Sequence, residues 1–276
     1  MPIFYLLKGE SLIEREVPFP DATVAPGVHW GRPDVLFTPA YWMTQYWMQE
    51  DAFNLYRHRL GETFEEEVVA CLLGGHGIPA EIGIHAFHRL RDRGLINSST
   101  SDTMEIAENL REPMQIQGRN VRYRFWSQKA KYIASALKYL RQEQLPMNAP
   151  VLLRNTLMKL PGIGPKTASW AVRNWLGSDE VAILDIHVIR AGVLMKIFSP
   201  KDRPERNYLD MERRFLDLAT ALNAKAGNLD ALIWQQMRST PLIVNACLEQ
   251  GEPGNSTLVN VNSQKRQAKP YQLPLH

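Results

Sequence analysis

The spacing of apolar positions along the chain predicts a mostly α-helical protein. From Pro39 onward, apolar side chains recur three and four residues apart, which is the period of one face of a helix. Pro39 stands where a first helical residue is expected, and apolar positions at 68–73 follow the acidic start of a second helix. Further helices are predicted at 81–92, 104–110, 128–142 with Ser127 as cap, 150–158, 204–222 and lastly 228–237, and also after Gly164 and after Asp185.

The two ends of the chain lack this helical period. Residues 1–37 are rich in Pro, Gly and β-forming side chains, which predicts an extended or partly β N-terminal arm. From residue 251 to 276 Pro, Gly, Asn, Ser and Gln dominate, which predicts an extended tail. The helical domain is therefore expected over residues 38–250. A chain of 276 residues can form one large domain or two lobes that share a groove, and length alone does not choose between them.

Composition narrows the class of protein. Apolar residues make up 45% of the chain and charged residues 22%, which is typical of a soluble globular protein. The apolar run at 3–7 is too short for a signal peptide, so a cytoplasmic location is expected. Two cysteines, Cys71 and Cys247, cannot supply the four thiolates of an iron–sulfur cluster. His85 and His88 have no third ligand nearby in the sequence, so no metal site is predicted.

Positive charge is concentrated in one segment. The net charge is only +3, but residues 118–178 contain eleven basic residues and a single acid, Glu143. Such a segment attracts a polyanion such as nucleic acid. The alternative is an ordinary solvated basic face.

A glycine turn lies inside this basic segment, within residues 160–168 (LPGIGPKTA). Two helices joined by a Gly-x-Gly turn present consecutive backbone N–H groups outward, because glycine tolerates positive φ and has no side chain to block a phosphate. Gly162 and Gly164 can therefore hold a nucleic-acid backbone without reading its sequence. Pro165 fits the first position of the second helix. Taken alone the turn is a weak signal, because non-catalytic DNA-binding proteins use the same device.

Lys166 and Asp185 add chemistry to the turn. Lys166 falls in the first turn of a helix, where the helix dipole disfavours an ammonium ion and favours a free amine that can act as a nucleophile. The alternative is that Lys166 only binds a phosphate. Asp185 follows nineteen residues later and can act as a catalytic carboxylate, as a helix N-cap, or as both. On a helical wheel one stripe holds Ala168, Ala171, Val172 and Trp175, and the opposite stripe holds Lys166, Trp170 and Arg173.

These residues carry a resemblance. Residues 160–168 together with 184–190 (LDIHVIR) resemble the signature of the helix-hairpin-helix (HhH-GPD) superfamily of DNA glycosylases. Residues 123–133 and 227–234 resemble its 8-oxoguanine DNA glycosylase/lyase branch, and the similarity extends over about residues 60–240. The resemblance implies a two-lobed helical fold with the helix-hairpin-helix at about 150–176. The absence of four clustered cysteines separates the chain from the iron–sulfur endonuclease III branch.

The resemblance also implies an activity. Lys166 would attack the sugar C1′, and Asp185 would assist it and stabilise the developing positive charge. Loss of the base would leave a Schiff base on Lys166, from which β-elimination cuts the strand. The implied partner is double-stranded DNA containing a damaged or modified base, most simply 8-oxoguanine, bound by a monomer in the cytoplasm at the nucleoid. No cofactor is required, although hairpin carbonyls in this family can hold a monovalent cation.

The resemblance further assigns a base pocket. Trp170 and Trp234 would lie on two sides of the flipped base, and Asp230 would accept N1–H and the 2-amino group of a guanine-like base. The alternatives are that Trp170 packs against a second lobe and that Asp230 is an ordinary first-turn acid. Trp170 is larger than the residue expected in parts of this branch, which leaves the base open. His187 and Arg190 would lie near the DNA backbone, and the alternative for His187 is a buried structural role.

Two other functions remain open at this stage. One is a glycosylase for another modified base, for example in foreign DNA, and the long N-terminal arm is its only hint. The other is a non-enzymatic helix-hairpin-helix DNA-binding protein. That function explains the basic segment and the turn but assigns no chemical role to Lys166 and Asp185.

Overall fold

The computed structural model describes residues 1–8, 10–50, 59–75, 77–98 and 102–250. Within these ranges the protein is mostly helical, as predicted, and the predicted tail at 251–276 lies outside them. The helices are α1 (Pro39–Gln49), α2 (Phe64–Leu73), α3 (Ala80–Asp92), α4 (Thr103–Arg111), α5 (Trp126–Gln142), α6 (Pro150–Leu157), α7 (Pro165–Leu176), α8 (Ile186–Leu194), α9 (Pro204–Ala221), α10 (Ala226–Ser239) and α11 (Pro241–Gln250). The strands are β1 (Ile3–Lys8), β2 (Ser11–Glu16), β3 (Thr23–Ala25), β4 (Val28–His29), β5 (Met114–Ile116) and β6 (Arg119–Val121).

The N-terminal arm is partly β, as predicted. Strands β1 and β2 form one antiparallel hairpin, in which Ile3 pairs with Glu16 and Leu6 with Ile13, and β3 and β4 form a second. Alternation along β1 turns Leu6 into the core and leaves Tyr5 exposed. Trp30, further along the arm, is also buried, and Leu6 and Trp30 belong to the same hydrophobic core.

Two hydrophobic cores divide the helices into two lobes. The central lobe consists of α2 to α7, and its core extends from Phe64 to Val181. The terminal lobe consists of the N-terminal strands, α1 and α8 to α11. The chain passes from one core to the other between Val181 and Ala182. This crossing lies between the helix that carries Lys166 and the residue Asp185, so the two predicted catalytic groups belong to different lobes.

Three local predictions were wrong. Helix α5 begins at Trp126, and Ser127 lies inside it, because the Phe125 carbonyl already accepts the Lys129 N–H at 2.9 Å. Helix α10 is not the last helix, since α11 follows it and buries Val244 and Cys247 three residues apart against the terminal core. The stretch 97–117, which the sequence predicts to hold only loop residues and the short helix at 104–110, also contributes β5 to the hairpin β5–β6, whose turn at 117–118 has φ angles of 50° and 74°.

No helix within the described ranges combines the length and the apolar content that a membrane span requires.

Candidate active site

The predicted helix-hairpin-helix is formed by α6, a tight turn and α7. Gly162 has a φ of +78°, and a Cβ added there would lie 2.1 Å from the Tyr132 ring, so only glycine fits. Leu160 and Ile163 are buried and anchor the turn to the central core. The turn is therefore fixed by packing beneath it, while its outer surface faces solvent.

The outer surface of the turn is the N-terminus of α7. Gly164 is the N-cap and Pro165 the first helical residue, as predicted from the sequence. Gly164 is exposed, and none of the described side chains caps this helix end. The N–H groups of Lys166 and Thr167 belong to the first turn, where a helix offers no carbonyl partner for them. Together with the helix dipole, these N–H groups form a site suited to a phosphate.

Lys166 and Asp185 lie on opposite lobes. Lys166 is half-buried in the first turn of α7, and Asp185 is half-buried at the N-cap of α8. Asp185 Oδ1 accepts the N–H groups of His187 and Val188, both at 2.9 Å, which confirms the N-cap interpretation. Both capping hydrogen bonds go to Oδ1, so they fix the orientation of the carboxylate. Oδ2 takes no part in the cap.

His187 shows that these charges share one neighbourhood. Burial lowers the pKa of its ring, and the nearby Asp185 carboxylate opposes that shift. The positive charges of Arg190, Arg238 and Lys166 lower the pKa of His187 further. The half-buried ring therefore lies within electrostatic reach of both predicted catalytic groups and of a local excess of positive charge, which suits an approaching DNA backbone.

The three predicted pocket residues occupy different environments. Trp170 is half-buried on α7, and its ring lies against Gly74 at the end of α2, where an added Cβ would come within 3.0 Å of it. Trp234, on α10 of the terminal lobe, is 38% exposed, with the Arg238 guanidinium 4.8 Å from its ring centroid. Asp230 is only 2% exposed.

Asp230 is engaged within the protein. Its Oδ1 lies 2.8 Å from Arg173 Nη2, and its Oδ2 accepts the Ile183 N–H at 3.2 Å. Burial raises the pKa of this carboxyl to about 6, although Arg173 opposes the shift. The hypothesis that Asp230 reads the base stays a prediction, and these contacts favour another role.

The raised pKa of Asp230 predicts a pH-dependent stability. Its ordinary pKa is 3.8, and Asp185 and Asp179 add to the burial effect that raises it. The folded state therefore holds the proton more tightly, and the stability that Asp230 contributes is full below about pH 4 and is lost as pH rises through 6. Relative to Asp230→Asn, the parent's free energy of unfolding should fall by on the order of 2–3 kcal/mol over this window. Urea unfolding at several pH values measures this difference, and a constant difference would contradict the assignment.

The basic segment is only partly a surface feature. Arg154 and Arg173 are buried and paired with carboxylates of the terminal lobe. Lys129 is half-buried, and its ammonium donates to the Leu72 carbonyl at the end of α2. The exposed members of the segment are Arg119, Arg122, Arg124, Lys131, Lys138, Arg141 and Lys159.

Sequence reasoning missed three residues beside the site. Arg238 covers Trp234, and the i, i+4 spacing of the two could have indicated the pair. Tyr208 and Glu212 are buried on α9 and bind the chain just before Asp185. A carboxylate at 212 within an apolar stripe at helical spacing was the signal for a buried, paired acid.

Within the described ranges, no three or more His, Cys, Asp and Glu side chains are arranged to hold a metal ion. Both Cys71 and Cys247 are buried free thiols.

The chain is similar to known proteins of one family. The sequence model of a family described as 8-oxoguanine DNA glycosylase matches residues 49–224. The 8-oxoguanine DNA glycosylase/AP lyase of Methanocaldococcus jannaschii is 28% identical over 187 residues, which cover 66% of this chain and 84% of that protein. The enzyme of the same name from Saccharolobus solfataricus is 33% identical over 132 residues, 44% of this chain and 63% of the relative. The crystal structure of the 8-oxoguanine DNA glycosylase of Thermotoga maritima superposes with a TM-score of 0.55 and 25% identity, covering 72% of this chain and 96% of that one.

Proposed function

Because the chain belongs to the 8-oxoguanine DNA glycosylase family, we propose that it removes a damaged base, 8-oxoguanine, from double-stranded DNA and then cuts the strand as a lyase. The observation that carries the proposal is that Lys166 and Asp185, one from each lobe, both lie within electrostatic reach of His187, and that Lys166 is in the first turn of the helix after the glycine turn. A flipped nucleotide can reach both groups only at the boundary between the lobes, because each lobe contributes one of them.

The proposed reaction begins at Lys166. Its amine, in the neutral form, donates an electron pair to C1′ of the flipped nucleotide, and the glycosidic bond breaks so that its electron pair leaves with the base. Loss of a proton from nitrogen and opening of the sugar ring give a Schiff base. Removal of a C2′ proton then breaks the C3′–O bond, which is β-elimination, and hydrolysis of the Schiff base returns free Lys166. No redox partner is needed at any step.

Asp185 supports the first of these steps. As the glycosidic bond breaks, positive charge develops on the sugar, and a fixed carboxylate nearby lowers the energy of that state. The α8 cap holds Oδ1 through two hydrogen bonds of 2.9 Å, so the carboxylate is already oriented before substrate binds. Preorganisation of this kind avoids reorientation during the reaction.

The hairpin and α8 supply the proposed DNA grip. Gly162 shapes the turn and Gly164 leaves its outer face open, while the half-buried His187 and Arg190 lie in the first half of α8. These contacts reach phosphates and therefore carry no base specificity. Trp170 and Trp234 are the proposed walls of the base pocket, one from each lobe.

The two hairpin glycines should respond differently to alanine. Gly162→Ala places Cβ 2.1 Å from the Tyr132 ring at a φ of +78°, so it should lower the free energy of unfolding by about 2 kcal/mol or more. Gly164→Ala has an ordinary φ of −86° and meets no described atom within 4 Å, so stability should hardly change. Its methyl group nevertheless stands where a phosphate approaches, and binding should weaken roughly tenfold.

Thermal melts and fluorescence anisotropy on matched duplexes test this pair. The Gly164→Ala loss should be equal for duplexes with and without 8-oxoguanine. A loss confined to the lesion duplex would show that the turn contributes to base recognition.

A base-release assay over a panel of lesions tests the proposed function. Duplexes that differ in one base are incubated with excess protein, and the released base is identified by mass spectrometry. Release of 8-oxoguanine well above other bases is expected. Faster release of a different modified base would replace the substrate, and no release from any duplex that the protein binds would leave a DNA-binding protein without glycosylase activity.

Other aspects of the function follow as proposals. The protein is expected to act as a monomer on chromosomal DNA in the cytoplasm, without a required cofactor. A monovalent cation at the hairpin would use backbone carbonyls of the turn. The Leu160 carbonyl accepts the Ile163 N–H at 3.2 Å, and a carbonyl oxygen has a second lone pair that could face such an ion.

A further inference from the structure

The three residues before Asp185 are held by side chains of the terminal lobe. Glu212 Oε1 accepts the Ala182 N–H at 3.0 Å, and Asp230 Oδ2 accepts the Ile183 N–H at 3.2 Å. The Tyr208 hydroxyl accepts the Leu184 N–H at 3.1 Å and donates to the Ala182 carbonyl at 2.8 Å. Segment 182–184 is thus fixed at each consecutive N–H, immediately before the carboxylate that the reaction needs.

The same two carboxylates also hold the hairpin. Glu212 Oε2 lies 2.5 Å from Arg154 Nη1 on α6, and Glu212 Oε1 accepts the Ser169 hydroxyl of α7 at 2.8 Å. Asp230 Oδ1 binds Arg173 on α7 at 2.8 Å. Ser169 and Arg173 both lie on α7, the helix that carries Lys166. Glu212 and Asp230 therefore each link α7 to segment 182–184, which immediately precedes Asp185.

Stability alone does not account for this arrangement. Glu212 is 3% and Asp230 is 2% exposed, and an apolar contact of similar volume would usually stabilise a protein as well as a buried ion pair does. Hydrogen bonds, in contrast, are directional and fix the relative position of the groups that they join. Here they join the two elements whose relative position sets the distance from the amine to the carboxylate. A misplacement of about 1 Å at a reacting centre can cost roughly a hundredfold in rate.

We propose that Tyr208, Glu212 and Asp230 are positioning residues that set Asp185 against Lys166 across the boundary between the lobes. The proposal deepens the function proposed above and rests on it. None of the three needs to touch the substrate, because each acts through the backbone of segment 182–184. Asp230 accordingly has a structural task in catalysis that does not require it to read the base.

Tyr208→Phe is the sharpest variant, because it removes the two hydrogen bonds to segment 182–184 and keeps the buried ring. Single-turnover excision with saturating enzyme should slow by about tenfold or more, while affinity for the duplex should stay unchanged. In the Asp185→Asn background the same change should have no further effect, since there is no carboxylate left to position. Ser169→Ala, which releases α7 from Glu212, should behave in the same way with a smaller loss.

Tyr46→Phe is the matched control. Tyr46 is also a buried tyrosine of the terminal lobe, and its hydroxyl accepts a backbone N–H, that of Lys225, at 3.1 Å. Its loss should leave excision within about twofold of the parent. An unchanged excision rate in Tyr208→Phe would overturn the positioning role. The role would also be overturned if Tyr208→Phe slowed excision by the same factor in the parent and in the Asp185→Asn background.

Hydrogen exchange of the DNA-free protein tests the same contacts without any reaction. Tyr208→Phe should speed amide exchange in the peptide that contains residues 182–188 and leave the rest of the terminal lobe as in the parent. Unchanged exchange there would overturn the proposal even if the parent excises 8-oxoguanine. A parent that releases no base would instead refute the proposed function, and the exchange result would still decide whether Tyr208 holds the segment.

Discussion

Replacing Lys166 by glutamine is expected to abolish strand cleavage while the protein still binds DNA. Glutamine is a polar side chain only one atom shorter than lysine, but it has no amine to attack C1′, so no Schiff base can form and β-elimination has no starting point. Loss of a covalent nucleophile should reduce cleavage by about a thousandfold or more. Half-burial at the helix N-terminus also means that removal of a positive charge there should not harm folding.

Lys138→Gln provides the comparison for Lys166→Gln. Lys138 lies in the same basic segment but is exposed on α5, so its replacement removes an equal charge away from the proposed site. Single-turnover cleavage of a duplex with 8-oxoguanine, run beside an anisotropy titration, separates chemistry from binding. Cleavage by Lys166→Gln at the rate of Lys138→Gln would remove Lys166 from the mechanism.

Asp185→Asn is the second variant with a large expected effect. The amide oxygen of asparagine can still accept the N–H groups of His187 and Val188, and asparagine caps helices as well as aspartate does. The fold should therefore be retained while the negative charge is lost. Base release should slow by about a hundredfold to a thousandfold, because the positive charge on the sugar loses its stabilising partner.

Asp102→Asn makes the same chemical change at another helix cap. Asp102 accepts the Met104 N–H at 2.8 Å at the start of α4, in the central lobe. Its replacement should leave base release at the parental rate. If both asparagine variants were fully active, Asp185 would be a helix cap and nothing more.

Local chemistry explains why the hairpin was predictable. Gly162 and Pro165 each have a residue-specific backbone preference, and those preferences define the turn and the start of α7 without reference to the rest of the chain. Asp185 is similar, because an acid before an apolar run is an N-cap signal. The proposed catalytic pair could thus be selected from two short segments, and the resemblance of those segments to a glycosylase family suggested the chemistry.

Long-range pairing explains what the sequence concealed. A helical wheel placed Arg173 on the side of Lys166 but could not show that this side faces a second lobe. Its partner Asp230 is 57 residues away, and Glu212 is 58 residues from Arg154. Such pairs depend on how the lobes dock, which no periodicity encodes. Trp234 shows the same contrast. Its contact with Arg238 is local in sequence, whereas its distance from Trp170 depends on the whole fold.

Borohydride trapping followed by peptide mapping tests the central claim most directly. The parent protein is mixed with a duplex that carries 8-oxoguanine in the presence of borohydride, which reduces a Schiff base to a stable amine link. Digestion and mass spectrometry then locate the attached sugar. The account predicts one adduct, on Lys166. An adduct on another residue, or release of 8-oxoguanine with no adduct at all, would contradict it.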